Sequence, residues 1–325
     1  MDSSHPSLGH QFSVACNLAN HFESISVLTT HYAGESCPSN VEITVIPWKA
    51  GKSIFNAVSL LTIGSRILLN YRPDYVFSHM APLNSIVLGP ITRLLRIRHC
   101  LWYAHAHNPK LLRIAVAFVN AVISSTRGSF PIKSDKLKLI GQGVDSKLFR
   151  RLNMDRSSKF DFTYAGRMDT SKNVHLIIDT LDSLRLEFPE IRLTLIGNES
   201  EEFVNESNDI WITAKRSIKR DVLPSELDTH GAFIHAFIGS LDKVLVEAVM
   251  MELPVISINP EFMNEFLVFS DTESNQSLYS QARNYMLQDS KSVDKVVNEN
   301  LQRALKHHEL QGWINRLVNV ITTIK

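Results

Sequence analysis

The pattern of apolar and polar positions divides the chain into alternating strands and helices. In the first half, short apolar runs predict six strands, at 24–30, 41–48, 75–80, 99–105, 121–125 and 137–143. The clearest helical periodicities lie over 56–73 and 84–97. Strands that alternate with helices are typical of a parallel, doubly wound sheet. The first half is therefore predicted to form one Rossmann-like domain.

The opening of the chain departs from this pattern. A doubly wound domain normally begins with a central strand and a glycine-rich turn. Here the first residues read MDSSHPSLGHQ, which is polar and turn-like and passes directly into a helix. We therefore expect the first domain to lack its first strand, through truncation of the sequence or through an irregular fold.

The second half repeats the alternation after a polar stretch, 145–159, which is interpreted as an interdomain linker. A strand at 160–164, a helix with its apolar face at 174–184 and a strand at 191–197 form one strand, helix, strand unit. Its parallel strands need a crossover, which predicts a second Rossmann-like domain. The predicted domains are 1–150 and 158–305, facing across a cleft, with a helix in 306–325 that packs across the junction.

Composition and length agree with two folded domains. A chain of 325 residues with 44% hydrophobic and 21% charged residues is long enough for two cores and is not disordered as a whole. Three cysteines without metal-ligand spacing favour a reducing cytoplasm. Apolar runs are broken by Arg66 and Arg93 before they reach about 18 residues, so any membrane contact is expected to be peripheral.

Charge is distributed unevenly along the chain although its net value is only +1. Basic residues outnumber acidic ones about twofold in the first 150 residues, and acidic residues are in excess in the remainder. Such a basic half fits an anionic partner, either a phosphate-bearing acceptor or an acidic membrane surface. A solvated basic face without a partner is the alternative.

Two groups of residues in the second half have the pattern of a phosphate site. Gly166 and Arg167 end a strand and Lys172 precedes the next helix, where ligands of open α/β sheets bind. Arginine and lysine together suit a diphosphate, although two exposed loop cations would look the same in the sequence.

The second group contains small residues before a helix. The segment GSLDK, made of Gly239, Ser240, Leu241, Asp242 and Lys243, lies between a strand and a helix that carries Glu247. Small residues let a phosphate approach the free N–H groups of a helix N-terminus, and Glu247 is placed to accept hydrogen bonds from a ribose. Plain helix caps with a surface glutamate are the alternative interpretation.

These two motifs, in this order, resemble the donor-binding domain of the retaining family-four glycosyltransferases, which have the GT-B fold. The resemblance covers most of residues 160–260, and WYAH at 102–105 and GQGVDSKLF at 141–149 are weaker family-like features. It implies that Arg167 and Lys172 bind the donor diphosphate and that Glu247 is the second glutamate of the E-x-x-x-x-x-x-x-E motif. Gly239 stands where the family has the first glutamate, which puts the identity of the sugar in question.

The resemblance also implies residues in the first domain. His105, at the end of a strand, matches the histidine of the family's catalytic crevice and is expected to orient the donor sugar. His79 ends the neighbouring strand and is a candidate for the acceptor side. Gly9 is a second acceptor-side candidate, in the position of the family's first glycine turn.

The predicted function is transfer of a hexose from a nucleotide sugar to a glycan or lipid-linked acceptor, with retention of anomeric configuration. No zinc spacing, H-E-x-x-H or Asp-x-Asp pair is present in the motifs, so no metal and no other cofactor is expected. The protein is expected to lie in the cytoplasm, and at the inner face of the membrane if it contacts one. Its expected process is the synthesis of cell-surface polysaccharide, and no nucleic-acid partner is expected. A catalytically impaired nucleotide-sugar-binding protein and a GT-B-type epimerase are the alternatives; a dehydrogenase is disfavoured because no G-x-G-x-x-G follows a strand.

Overall fold

The computed structural model describes residues 1, 2, 5, 9–152, 157–198, 210–270 and 277–324. The chain forms two compact units, which we call unit 1 (Met1–Gly141 with Gln311–Lys325) and unit 2 (Gln142–Leu310). The boundary lies before the polar stretch 145–159. Phe149 in that stretch is fully buried in a core of unit 2, so its first part is packed and does not act as a free linker.

Unit 1 contains two parallel sheets. Its elements are α1 (His10–Leu18), β1 (Ile25–Thr29), β2 (Val41–Val45), α2 (Ser53–Tyr71), β3 (Tyr75–His79), α3 (Pro82–Leu94), β4 (Arg98–Trp102), α4 (Lys110–Phe118), β5 (Ala121–Ser124) and β6 (Leu137–Leu139). Strands β1 and β2 pair with each other, and β3, β4, β5 and β6 form a second sheet in that order. All six predicted strands are present, and no strand precedes α1 within the described residues.

Unit 2 is built on one parallel sheet of five strands. Its elements are β7 (Asp161–Ala165), a 3₁₀ turn (Thr170–Lys172), α5 (Val174–Arg185), β8 (Arg192–Ile196), β9 (Ile212–Lys215), α6 (Leu223–Leu227), β10 (Ala232–His235), α7 (Lys243–Met250), β11 (Val255–Ser257), α8 (Pro260–Glu265), α9 (Leu278–Leu287) and α10 (Ser290–His308). The last helix is α11 (Leu310–Thr323). The strand order is β11, β10, β7, β8, β9.

That order fixes where a ligand site can form in unit 2. The chain proceeds from β7 to β8 on one side, and later returns to place β10 on the other side of β7. Ligands of open α/β sheets bind beyond the carboxyl ends of the strands at such a switch point. The turns that follow β7 and β10 are therefore the expected walls of the site.

The helices form where the sequence supplies an apolar face. In α5, Val174, Ile177, Leu181 and Leu184 recur at helical spacing and are buried, as predicted. Helix α11 packs within unit 1, where the Trp313 ring meets Trp102 edge-on at 5.2 Å and its Nε1 donates to the carbonyl of Gly141. The last helix is therefore part of the core of unit 1.

Strand β4 contains a buried histidine. His99 is almost fully buried, and its Nε2 lies 2.8 Å from the hydroxyl of Ser78. Thr92 lies on the opposite side, 3.4 Å from Nδ1. Burial lowers the pKa of His99 from 6.5 to about 4, because the charged ring is poorly solvated there.

We expect the free energy of unfolding to fall as the pH falls from 6.5 to about 4. Unfolded His99 binds a proton throughout that range, whereas folded His99 does not, so protonation favours the unfolded chain by about 3 kcal/mol below pH 4. Urea unfolding of the wild type and of His99→Gln at pH 7 and pH 4 measures this difference. If the free energy of unfolding depends on pH equally in the two proteins, the lowered pKa of His99 is contradicted.

Candidate functional site

The turn after β7 is packed closely against the end of β8. The N–H of Gly166 donates to the carbonyl of Ile196 at 2.9 Å, and the N–H of Gly197 donates to Lys215. A Cβ on Gly197 would lie 2.1 Å from the carbonyl oxygen of Gly166. Only glycine at 197 allows this approach, which holds the Gly166 turn at the edge of the sheet. Gly166 is a site residue predicted from the sequence, whereas Gly197 is not.

Arg167 lies on the exposed side of this turn. Its side chain is 67% exposed and pairs with Asp169, with 2.8 Å between Nη1 and Oδ2. Asp169 also caps the 3₁₀ turn by accepting from the N–H of Ser171 at 3.0 Å. The hydrogen bond from the Ser171 side chain is the largest influence that lowers the pKa of Asp169, with Arg167 contributing. Arg167 is thus a solvent-accessible cation whose guanidinium pairs with Asp169 of the same turn.

Lys172 differs from Arg167 because it is almost fully buried, at 7% exposure. Its Nζ pairs with the carboxylate of Asp242 and lies 3.8 Å from the centroid of the Phe237 ring. A cation over an aromatic face is stabilised by the ring quadrupole. The turn after β7 and the turn after β10 are therefore joined through Lys172.

Asp242 is the N-cap residue of α7, yet its side chain makes no capping hydrogen bond. Its carboxylate instead contacts Lys172 and the Nε2 of His235, the latter at 3.1 Å. Burial alone would raise the pKa of Asp242, but His235 and Lys172 hold it at about 2. As a result, the N–H groups at the start of α7 are not capped by this carboxylate.

Three amide side chains bind the carbonyl groups of the turn after β10. Asn173 donates to Ala236 at 3.1 Å, and Asn259 donates to Phe237 and Ser240, both at 3.0 Å. Gln142 donates to Leu241 at 2.7 Å. These hydrogen bonds to its carbonyl oxygens fix the backbone of the turn after β10.

Lys243, the first residue of α7, is a second lysine at this helix end. Its Nζ donates to the carbonyl of Gly143 at 2.9 Å. Burial is the largest influence and lowers its pKa to about 7, and the neighbouring charge of Arg220 adds to this effect. Near neutral pH the Lys243 amine is therefore poised between its charged and uncharged forms.

Glu247 is buried and paired. Its Oε1 accepts from Arg220, and both side chains are largely shielded from solvent. The guanidinium of Arg220 lies 4.9 Å from the centroid of the Phe149 ring. The interpretation of Glu247 as a surface residue is therefore wrong, since the carboxylate is held inside unit 2 by an arginine that the sequence analysis did not identify.

At position 239 the space beside the backbone is occupied by an aromatic ring. A Cβ added to Gly239 would lie 2.2 Å from Cζ of Phe237. A glutamate at this position would require Phe237 to move, and the same ring supports Lys172. The absence of a side chain at Gly239 therefore allows the Phe237 ring to occupy the position in which it contacts Lys172.

The three candidates in unit 1 lie at the carboxyl ends of β3 and β4 and at the start of α1. Gly9 is the N-cap residue of α1, and the next two residues reach His79. The Gln11 amide lies 3.3 Å from His79 Nδ1, and the His10 and His79 rings are 5.9 Å apart. His105 follows β4, and its Nδ1 accepts from the N–H of His107 at 2.9 Å. Their roles remain predictions.

Solved structures share the overall architecture of this chain. HepE of Anabaena, in complex with UDP and glucose, is 12% identical, with 98% of each chain covered and a TM-score of 0.71. The sucrose-phosphate synthase of Thermosynechococcus elongatus is 13% identical over 95% of this chain and 90% of its own, with a TM-score of 0.76. The chain has the GT-B fold.

A third solved structure of this fold is the lipopolysaccharide outer core galactosyltransferase WaaB. It is 12% identical, with 98% of this chain and 97% of its own covered and a TM-score of 0.69. At the level of sequence, no family model and no curated protein matches this chain. At these identities the likeness establishes the fold, and function has to be argued from the site.

Proposed function

We propose that this protein is a glycosyltransferase that moves a sugar from a nucleotide-sugar donor to a hydroxyl group of a glycan or lipid-linked acceptor. The observation that carries this proposal is the N-terminus of α7, where Asp242 binds Lys172 and His235 and does not cap the helix. The helix dipole and backbone N–H groups at a helix N-terminus favour a phosphate at this point. The GT-B fold supports the same assignment, because HepE was solved with UDP and glucose.

Three cations then surround the proposed diphosphate position. Lys172 lies between the two turns, Lys243 begins α7, and Arg167 lies on the exposed side of the first turn. We propose that Asp242 holds Lys172 in position, and that the Lys172 ammonium contacts both Asp242 and the diphosphate when the donor binds. The cations and the helix N-terminus take the role that a divalent ion has in metal-dependent enzymes.

The proposed reaction retains the configuration of the anomeric carbon. The bond between that carbon and the diphosphate oxygen breaks, and the acceptor oxygen bonds to the carbon from the same face. The leaving phosphate oxygen takes the proton of the acceptor hydroxyl. Lys172 and the α7 N–H groups stabilise the negative charge that develops on the diphosphate.

Glu247 is proposed to bind the ribose of the donor. Because Oε1 already accepts from Arg220, the ribose hydroxyls would use the other carboxylate oxygen. Arg220 is then a positioning residue that fixes the orientation of Glu247. In unit 1, His105 is proposed to orient the donor sugar, and His79 and Gly9 are proposed for the acceptor.

A nucleotide-sugar-binding protein without turnover is the second candidate. It is favoured by Gly239, because the ring of Phe237 takes the space that a side chain there would need. Incubation of the protein with a panel of nucleotide sugars, with and without acceptors, separates the candidates. A glycosyltransferase forms product only with an acceptor, an epimerase converts donor alone, and a binding protein gives saturable binding without product.

Donor binding is expected to take up a proton above pH 7. The pKa of Lys243 is about 7 without donor, and a nearby diphosphate raises it, so affinity falls as the pH rises above 7. Calorimetry at pH 8 in two buffers of different ionisation enthalpy measures the uptake. Lys243→Gln should bind without it. Equal uptake by the wild type and this variant would contradict the role of Lys243.

A further inference from the structure

Helix α2 exposes aliphatic side chains along much of its length. It buries only a narrow stripe at every fourth position, Asn56, Leu60, Gly64 and Leu68. Four aliphatic residues outside this stripe are exposed, and we call them the α2 face: Ile54, Val58, Leu61 and Leu69. Ile54 is the most exposed of the four, at 83%. Single exposed apolar residues are common, but a stripe along one helix marks a surface that binds something.

The packing of helix α2 argues against a membrane-spanning role for this helix. Among the described helices, α2 alone has the length and hydropathy to cross a membrane, with 22% of that window buried. However, Leu60 and Leu68 are part of a core with Leu88, and Arg66 interrupts the apolar run. Crossing a bilayer would remove those leucines from the core, so α2 fits a position parallel to a surface.

Aromatic residues lie at both ends of α2. Trp48 is 43% exposed just before the helix, and exposed Tyr71 ends it. The loop at Lys49 is fixed to the helix, because buried Asn56 accepts from its N–H and donates to its carbonyl, both at 2.9 Å. The Lys49 ammonium lies 4.8 Å from the Phe55 ring centroid. Aromatic residues with a basic neighbour are favoured at the level of lipid headgroups.

The charge around the α2 face selects one kind of partner. Between Glu42 and Asp74 the sequence contains no acidic residue and four basic ones, Lys49, Lys52, Arg66 and Arg72, all exposed. Two copies of this segment would repel each other, since each brings four basic residues and no acidic one. An anionic lipid surface would attract the same cations while the aliphatic residues enter it.

We propose that the α2 face docks unit 1 onto a bilayer that contains anionic lipids, with α2 lying in the plane of the headgroups. The aliphatic residues supply burial, and the four cations supply attraction to the lipid charge. This surface is in unit 1, and the proposal does not depend on the chemistry assigned to unit 2.

Tryptophan fluorescence gives a direct test. The chain has four tryptophans, and Trp102, Trp211 and Trp313 are buried, so Trp48 is the one that solvent reaches. Vesicles of phosphatidylcholine with phosphatidylglycerol should shift the emission of the full chain to the blue, and Trp48→Phe should abolish the shift. No shift together with no co-sedimentation would overturn the proposal.

Matched variants distinguish vesicle binding through the α2 face from nonspecific binding through other exposed apolar residues. Ile54→Ser, Val58→Ser, Leu61→Ser is expected to weaken vesicle binding at least about tenfold, because three aliphatic side chains that would become buried in lipid are removed. The control, Leu176→Ser, Leu186→Ser, Leu287→Ser, removes three exposed leucines of unit 2 and should bind like the wild type. Thermal melting verifies that both triple variants fold. Equal binding by the two variants would contradict the proposal.

Variants without the basic residues test whether binding requires anionic lipids. Lys49→Gln, Lys52→Gln, Arg66→Gln should lose binding to the anionic vesicles several-fold per cation and should lose most of its salt dependence. Vesicles of phosphatidylcholine alone should bind the wild type weakly. If the serine variant of the α2 face instead changes the oligomeric state of a protein that binds no vesicles, the face is a contact between copies and the proposal is wrong.

Discussion

Lys172→Ala is expected to lower turnover of the nucleotide sugar by about 100-fold or more. The reason is its place between the two turns of unit 2, where its ammonium pairs with Asp242 at the N-terminus of α7 and is shielded from water. Removal of one preorganised charge or donor at a developing anion typically costs a factor of about 100 to 1,000 in rate. Steady-state kinetics with saturating acceptor measures the effect.

The same substitution also removes the partner of a buried carboxylate, so stability has to be separated from catalysis. Lys172→Ala leaves Asp242 with His235 as its remaining side-chain partner among these two, and unfolding should become easier. Lys172→Ala, Asp242→Asn should recover stability without recovering turnover. Arg283→Ala, which breaks an exposed ion pair with Glu187, is the control for loss of a cation from unit 2. Recovery of turnover by the double variant would contradict a direct role of Lys172.

Glu247→Ala is expected to lower the free energy of unfolding by about 3–5 kcal/mol and to remove nucleoside binding. Arg220 and Glu247 form a buried pair, and deletion of one partner leaves the other charge without compensation. Urea unfolding measures the stability. Binding of nucleoside diphosphate, measured at a temperature where the variant is folded, measures the second effect.

A matched double variant distinguishes the two effects of Glu247. Replacing both partners, as in Glu247→Gln, Arg220→Met, removes the buried charges together and should restore most of the stability. It should not restore affinity, because the amide lacks the charge that binds two ribose hydroxyls. If the double variant binds nucleotide like the wild type, Glu247 has only a structural role.

Most strands could be predicted because they are buried on both faces. In β5 all four residues are buried, and such apolar runs are visible in the sequence. Helix α4 is not among the predicted helices, because an apolar segment as short as KLLRIAVAF can be a strand as well as a helix. Its buried positions are only Leu112 and Ala115, and Leu111 and Ile114 are exposed.

The cations of the candidate site could be predicted from their positions at strand ends, but their partners could not. Asp242 and Lys172 are 70 positions apart in the sequence, and Arg220 and Glu247 are 27 apart. Long-range pairs of this kind depend on the strand order, which no local pattern reveals. The amides of Asn173, Asn259 and Gln142 were missed for the same reason, because each binds a carbonyl in a turn that is distant along the chain.

We propose above all that a nucleoside diphosphate binds at the turns after β7 and β10 in unit 2. Calorimetric titration of the full chain with a panel of nucleoside diphosphates, UDP included, measures this most directly. The account predicts saturable binding of at least one of them and a loss of about 100-fold or more in affinity for Arg167→Ala, Lys172→Ala, with the Arg283→Ala control unchanged. Equal affinity of the wild type and the double variant, or binding of none of the panel, would contradict it.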